Sequence, residues 1–385
     1  MKARLLIVLF LLVLSGWSHQ VYNQQQKRNW LAHQGNARAQ HQLANHNWKL
    51  NNRTAAYYWW QRSAKQHYFP SIESLINEFP AASETWLELA VAAGDPAAQR
   101  QVASAELTDQ NTSINQWQSR WVNSSDSWLQ SKFELIERYK NNGQCHMEIN
   151  VVAADAGEKR RYLNFLSAVQ NAPFDTRNWC ISFTLDETLS CVTDTQRKRA
   201  SCRSEQQFGK RVILADQGIA SADSQTLTLT RDSSEAVIQH ELGHWLGFAD
   251  EYEMSDALAQ KFCYGYYDHD SLNIIVTEAH NEYSVRQVKA VYKSLPWKAE
   301  LSSWQDIATQ KQGKWRLGSS KEAAVGLFKA DTCNAIDDRQ AWRPVNTRTA
   351  MEQHDTKLWP EIYLRLLEQN TYAFDLVANS DLRQN

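Results

Sequence analysis

The sequence predicts a multidomain α+β chain: an N-terminal, α-solenoid-like array of helix pairs over residues 27–130, then a mixed α/β domain over residues 143–385. Three observations lead there. A helix-and-turn pattern recurs in the first third of the chain. Strand-like and helical runs alternate from about Gly143 onward. Finally, "HELGHWLGFADEY" at 240–252 puts two histidines four residues apart inside one of the helical runs. With 385 residues, 43% hydrophobic and 22% charged, the composition is that of a globular protein long enough for two cores. A net charge of −2 gives no basic signature, so no nucleic-acid partner is expected.

The N-terminus, "MKARLLIVLFLLVLSGWSHQ", sets Lys2 and Arg4 before an apolar run from Leu5 to Leu14. That run is shorter than the about 20 residues of a membrane span, and residues 1–18 read as an export segment. No clear small-x-small cleavage site follows, and Trp17 suits an interfacial position, so a cleaved signal peptide and an N-terminal membrane anchor are both open readings. The expected location is periplasmic, inner-membrane-anchored or secreted. Cysteine usage agrees, because six cysteines with no C-x-x-C pair suit disulfides in an oxidising compartment. Cys191 with Cys202, closing the polar loop "VTDTQRKRAS", is the preferred local bridge; Cys145 with Cys180 and Cys263 with Cys333 complete the expected set. The competing reading is several free buried thiols.

In the first third, "LAHQGNARAQHQLA", "SAKQHYFPSIESL" and "AVAAGDPAAQRQVA" align on Gly35, His67 and Gly94, at spacings of 32 and 27 residues. Such a period marks stacked helix pairs. Over residues 27–105 these stretches resemble Sel1-like repeats, through "GNARAQ" and "GDPAAQ" and through Trp59 and Trp86, eight positions ahead of their turns. The middle copy departs from the pattern in having no glycine. The resemblance implies a surface for a protein partner; an irregular helical domain with Trp and Leu in its core is the plainer reading. "DQNTSINQWQSRWVNSSDSW" then marks the approach to the domain boundary.

In the second domain "HMEINVVAA", "WCISFTL", "KRVILAD" and "SQTLTLT" read as strands and "EKRRYLNFLSAV" as a helix. "RDSSEAVIQ" offers Asp232 as the N-cap of the next helix with Glu235 three residues on, and Val237, Ile238, Leu242, Trp245 and Leu246 supply apolar surface to anchor it. His240 and His244 then lie one turn apart on one face and can grip a single metal ion. Neutral imidazoles bind Zn²⁺ at about 2.0–2.1 Å, and three protein ligands leave one position for water. That water's pKa falls to about 7, and Glu241 beside it suits the role of general base. Gly247, in left-handed conformation, would end the helix and bring Asp250 round as third ligand, with the adjacent Glu251 as rival. The plainer reading is a pair of surface histidines beside a solvated acidic turn.

The resulting H-E-x-x-H-x-x-G-x-x-D pattern is similar to the metzincin layout, with aspartate in place of the third histidine. Downstream, "RPVNTRTAMEQH" offers Met351 as the turn methionine ahead of a final helix, "TKLWPEIYLRLLEQ"; Met254 is too close to Asp250. Together with "SLPWKAEL" and "AAVGLFKADTCNAIDDRQAWRPVNTRTAM", these segments resemble the IgA-peptidase family of bacterial zinc metallopeptidases over roughly residues 210–370. The resemblance implies an α/β zincin fold, one Zn²⁺ per molecule on His240 and His244, Glu241 as base, and a protein or peptide substrate. Ala350 departs from the cysteine frequent before the turn methionine in that family. Tyr252 either hydrogen-bonds a ligand or the developing oxyanion, or packs on the helix. His354 either approaches the metal or lies on the surface. His269 and His280 receive no role, and "YGYYDHD" reads as a loop. Two alternatives to an exported endopeptidase stand beside it: a cell-envelope scaffold of Sel1-like repeats with a catalytically inactive zincin domain, and a structural protein that binds no metal.

Overall fold

In the computed structural model, which describes residues 24–194, 198–206, 209–266 and 270–370, the protein divides between Phe133 and Glu134 into two compact units. The expected signal or anchor at 1–18 and His269 lie outside the described residues. Among the described residues no helix is long and apolar enough to cross a membrane.

The first unit is helical. A helical stretch over 24–33 is followed by helices Ala37–Lys49, Arg53–Ala64, Phe69–Glu78, Ser83–Ala92, Pro96–Glu106 and Ile114–Trp121; helix Ser127–Arg138 spans the division. Small residues let neighbouring helices approach closely: Ala44, Ala56, Ala64, Ala90 and Ala98 share one core with Trp60, Ile72, Leu75 and Trp86. The three aligned turn residues share a backbone conformation, with φ of +93° at Gly35, +59° at His67 and +82° at Gly94. After each, the next residue's N–H reaches a carbonyl five residues back: Asn36 to Leu31, Tyr68 to Ser63, Asp95 to Ala90. These are helix-ending Schellman turns, in which a left-handed residue satisfies the last open carbonyls. Asn51, at φ 58°, ends helix Ala37–Lys49 by the same device. Asn36, Asn52 and Asp95 then cap the following helices through their side chains.

The second unit is mixed α/β. Its strands begin with β1 (Met147–Ala153), β2 (Trp179–Leu185), β3 (Ser190–Thr193), β4 (Ala200–Arg203), β5 (Lys210–Leu214), β6 (Ser221–Ala222) and β7 (Thr226–Leu229). Five of them form one sheet in the order β2-β1-β5-β7-β6; the first four are parallel and the edge strand β6 runs antiparallel to β7. Parallel neighbours need a crossover, which helix Lys159–Gln170 supplies between β1 and β2, burying Tyr162, Phe165, Leu166 and Val169. Helix Glu235–Trp245 leaves the end of β7 beside it, and Gln239 donates from Nε2 to the Ala168 carbonyl at 3.1 Å.

The cysteines pair as expected: Cys145–Cys180, Cys191–Cys202 and Cys263–Cys333, which suits an oxidising compartment. Between helix Glu235–Trp245 and Met351 the protein contains β8 (Ile275–Glu278), the hairpin β9 (Ala308–Lys311) and β10 (Lys314–Leu317), then β11 (Phe328–Ala330) and β12 (Arg339–Arg343). β11, β12 and β8 form a three-stranded antiparallel sheet, and a helix over 361–370 follows.

One expectation needs correction. The N-cap of helix Glu235–Trp245 is Ser234, whose side chain accepts from Val237 N, and not Asp232. Thr230 and Ser233 bond each other in a turn, which delays the helix start by two residues. Glu235 therefore stands in the first turn, where its charge complements the helix dipole, and forms no capping box.

Candidate metal centre

Helix Glu235–Trp245 buries His240 and Glu241 and leaves His244 half-buried. Its end is a Schellman turn: Gly247, at φ +98°, donates to the His244 carbonyl and Phe248 N donates to the Gly243 carbonyl. The backbone turns back, and buried Asp250 arrives with Oδ1 at 3.1 Å from His240 Nε2 and 3.3 Å from His244 Nε2. One ligand atom from each of the three residues lies within 4.8 Å of the others.

The donor set fits a cation. His240 Nδ1 is 2.8 Å from the Ala350 carbonyl and His244 Nδ1 is 2.9 Å from the Phe248 carbonyl. A carbonyl only accepts, so each Nδ1 carries the hydrogen and each neutral ring turns the lone pair of Nε2 toward Asp250. Two imidazole lone pairs and a carboxylate oxygen thus face one another, and Asp250 Oδ1 is buried with no hydrogen-bond donor. Such an arrangement repels itself unless a proton or a metal ion sits between the three atoms. Without metal the proton fills that role. Burial disfavours the imidazolium of His244, but the Asp250 carboxylate outweighs it and raises the His244 pKa to about 9. Although burial opposes it, the two histidines hold the Asp250 carboxyl well below its usual range.

Glu251, the rival third ligand, points elsewhere. Its side chain accepts from Asn273 Nδ2 at 2.9 Å, Arg343 Nη1 at 2.9 Å, Thr349 Oγ1 at 2.7 Å and the Tyr363 hydroxyl, so both oxygens are saturated. Thr332 Oγ1 donates to the Asp250 carbonyl at 2.8 Å, and the Glu251 N–H donates to the Met351 carbonyl at 3.0 Å. The acidic turn is therefore clamped by segments far downstream in sequence. Thr332, Arg343 and Thr349 fall within the downstream segment that carries the family resemblance, but the sequence assigns a role to none of them, nor to Asn273 or Tyr363.

Met351 is fully buried under the helix, and a Cβ placed on Gly243 would meet its sulfur at 2.9 Å and the Trp359 ring at 2.8 Å. The residue between the leucine and second histidine of the motif must therefore be glycine for helix and methionine to approach this closely. Sequence reading singles out Gly247 but not Gly243; the need arises only from the partner across the interface.

The metal set lines a cavity of about 630 Å³ together with Glu241, Tyr252 and His354. Burial raises the Glu241 pKa, against the pull of His244 and His240. The Tyr252 ring lies near-parallel to that of His240 with centroids 6.4 Å apart; the residue is exposed, but partial desolvation and the neighbouring Asp250 carboxylate raise its pKa and keep the phenol protonated. The His354 ring lies 6.3 Å from that of His240. His280, given no role from sequence, is bound to Glu278 and lies away from the cavity lining.

The protein matches no protein-family model and no curated protein. What the structure defines is a buried His-His-Asp group that can hold a metal ion, in the wall of a cleft that also carries a carboxylate and a neutral phenol.

Proposed function

We propose that the protein is an exported zinc-dependent endopeptidase, with His240, His244 and Asp250 as ligands to one Zn²⁺ per molecule and Glu241 as general base. The observation that carries this reading is the convergence of three lone-pair donors, two with their tautomers set by backbone carbonyls, beside a buried carboxylate in an open cavity. When bound, the zinc supplies a Lewis acid and a water of lowered pKa. Glu241 accepts a proton from the attacking water and returns it to the leaving nitrogen, and its raised pKa suits both steps. Tyr252, held neutral, donates a hydrogen bond to the carbonyl oxygen as negative charge develops on it. His354 borders the same space and helps to hold the substrate. The helical first unit, through its repeats, recruits a substrate or protein partner.

The test is metal content by mass spectrometry on the full-length protein, purified without chelator, combined with hydrolysis of a peptide mixture. About one zinc per molecule is expected in the wild type, with loss in His244→Ala and in Asp250→Ala. Glu241→Ala is expected to keep the zinc and lose at least about 100-fold in turnover. No zinc in the wild type would overturn the reading. Zinc without turnover would leave a metal-binding scaffold.

A further inference from the structure

One group on the cavity wall is used neither by the metal set nor by the proton transfers. Arg199 is the single arginine or lysine in the lining among the described residues, where Asp223, Asp232, Glu241, Asp250 and Glu352 are the acids. The side chain is exposed, and among the described residues no carboxylate oxygen lies within 4.0 Å of its guanidinium. An arginine that stays unpaired among five carboxylates is placed to meet something that enters the cavity.

Its backbone is held firmly. Arg199 precedes β4 in the hairpin closed by Cys191–Cys202, and it bridges Ile219, whose N–H donates to the Lys198 carbonyl at 2.7 Å. The Arg199 carbonyl accepts from Asp194 N at 2.9 Å. Gly218 allows this contact, because a Cβ there would meet the Lys198 carbonyl oxygen at 2.9 Å. Ile219 leads directly into β6, and residues 219–224 form one wall of the cavity. The backbone that carries the guanidinium is thus tied to the segment leading into edge strand β6, and Arg199 lines the cavity together with residues of helix Glu235–Trp245.

We infer that Arg199 is a specificity-determining residue that receives a carboxylate of the peptide held in the cavity. This rests on reading the cavity as a peptide cleft. The planar fork of a guanidinium matches a carboxylate through two parallel hydrogen bonds, and away from the metal set Arg199 is the one cationic side chain among the described lining residues. In a peptide the carboxylate comes either from an acidic side group near the scissile bond or from the free C-terminus.

The test uses the zinc-loaded, full-length Glu241→Ala protein, so that bound peptide is not consumed. Fluorescence anisotropy would follow labelled alanine-rich octapeptides with one Glu or its isostere Gln at each position in turn, with free or amidated C-termini. At one or two positions, or at the free C-terminus, the carboxylate form should bind about five- to tenfold more tightly than its isostere. That ratio should fall to about one in Arg199→Ala and Arg199→Gln and survive in part in Arg199→Lys, with zinc content and unfolding temperature unchanged in all three. A Glu effect locates a side-group subsite and a free-terminus effect locates a terminal one. No preference in the parent, no binding of any peptide, or the same preference without Arg199 would each overturn the inference. Hydrolysis by the protein with Glu241 intact separates the two readings: cleavage without acid preference removes the role of Arg199 alone, and acid preference without cleavage removes the peptidase alone.

Discussion

At Gly243 the absence of a side chain decides how close the metal-site helix comes to Met351 and Trp359. Gly243→Ala should cost about 1–3 kcal/mol through overpacking and displace His244, lowering the unfolding temperature and the zinc affinity together; an unchanged melting curve would show that the interface yields freely. His244 makes a second prediction. With a pKa raised to about 9 in the metal-free site, its ring is protonated at pH 7 and must give up that proton before it can ligate. Zinc affinity should therefore rise about tenfold per pH unit on approaching pH 9 and level off above it. Calorimetry at pH 7 in buffers of different ionisation heat should show about one proton released per zinc, and a flat affinity between pH 6 and 8 would contradict it. The site is legible in sequence where one segment carries it, as in His240, Glu241, His244, Gly247 and Asp250. The residues that saturate Glu251 are not, because a buried hydrogen-bond partner can come from any polar residue at any separation.

The turns of the first unit belong to the scale of the element. Periodicity locates them because the same backbone conformation recurs at Gly35, His67 and Gly94, and the middle copy shows that the conformation persists without glycine. A non-glycine residue there costs about 1–2 kcal/mol, of which glycine's greater freedom in the unfolded state returns a part. His67→Gly should therefore stabilise this unit by about 0.5–1 kcal/mol in chemical denaturation; destabilisation would mean that the imidazole makes a contact worth more than the strain. Asp126 accepts from Leu129 N at the start of helix Ser127–Arg138, and Arg100 donates to it at 2.7 and 3.0 Å. The bond from Arg100 holds its carboxyl below the usual range. A depressed pKa means that the stabilisation is present above about pH 4 and is lost as the pH falls through the folded value. Asp126→Asn should lower the unfolding temperature at neutral pH and weaken its fall on acidification. The four parallel strands of the main sheet are equally legible, as apolar runs or, for β7, as an alternating one, whereas the two-residue edge strand β6 is too short to read. The sheet of β8, β11 and β12 is not, because its strands are short and far apart in sequence.

On the scale of the whole molecule, the disulfides, the parallel sheet and the metal site follow different sequence distances. Cys191–Cys202 joins residues 11 apart in one hairpin, whereas Cys263–Cys333 joins segments 70 apart. The clamps on the acidic turn reach further: Thr332 is 82 residues from Asp250, and Arg343, Thr349 and Tyr363 stand 92, 98 and 112 residues from Glu251. A protein ending at residue 340 would keep His240, His244 and Asp250 but lack three of these four clamps. It should fail to retain zinc through gel filtration while the full-length protein retains about one ion; retention by the shortened form would show that the turn is set locally. The order of synthesis then acquires a meaning. A ribosome completes both histidines and the aspartate more than a hundred residues before the helix over 361–370, whose Tyr363 helps to fix Glu251. Until the helix over 361–370 is made, the acidic turn lacks the Tyr363 hydroxyl, so the proposed hydrolase would acquire its complete metal site late in synthesis.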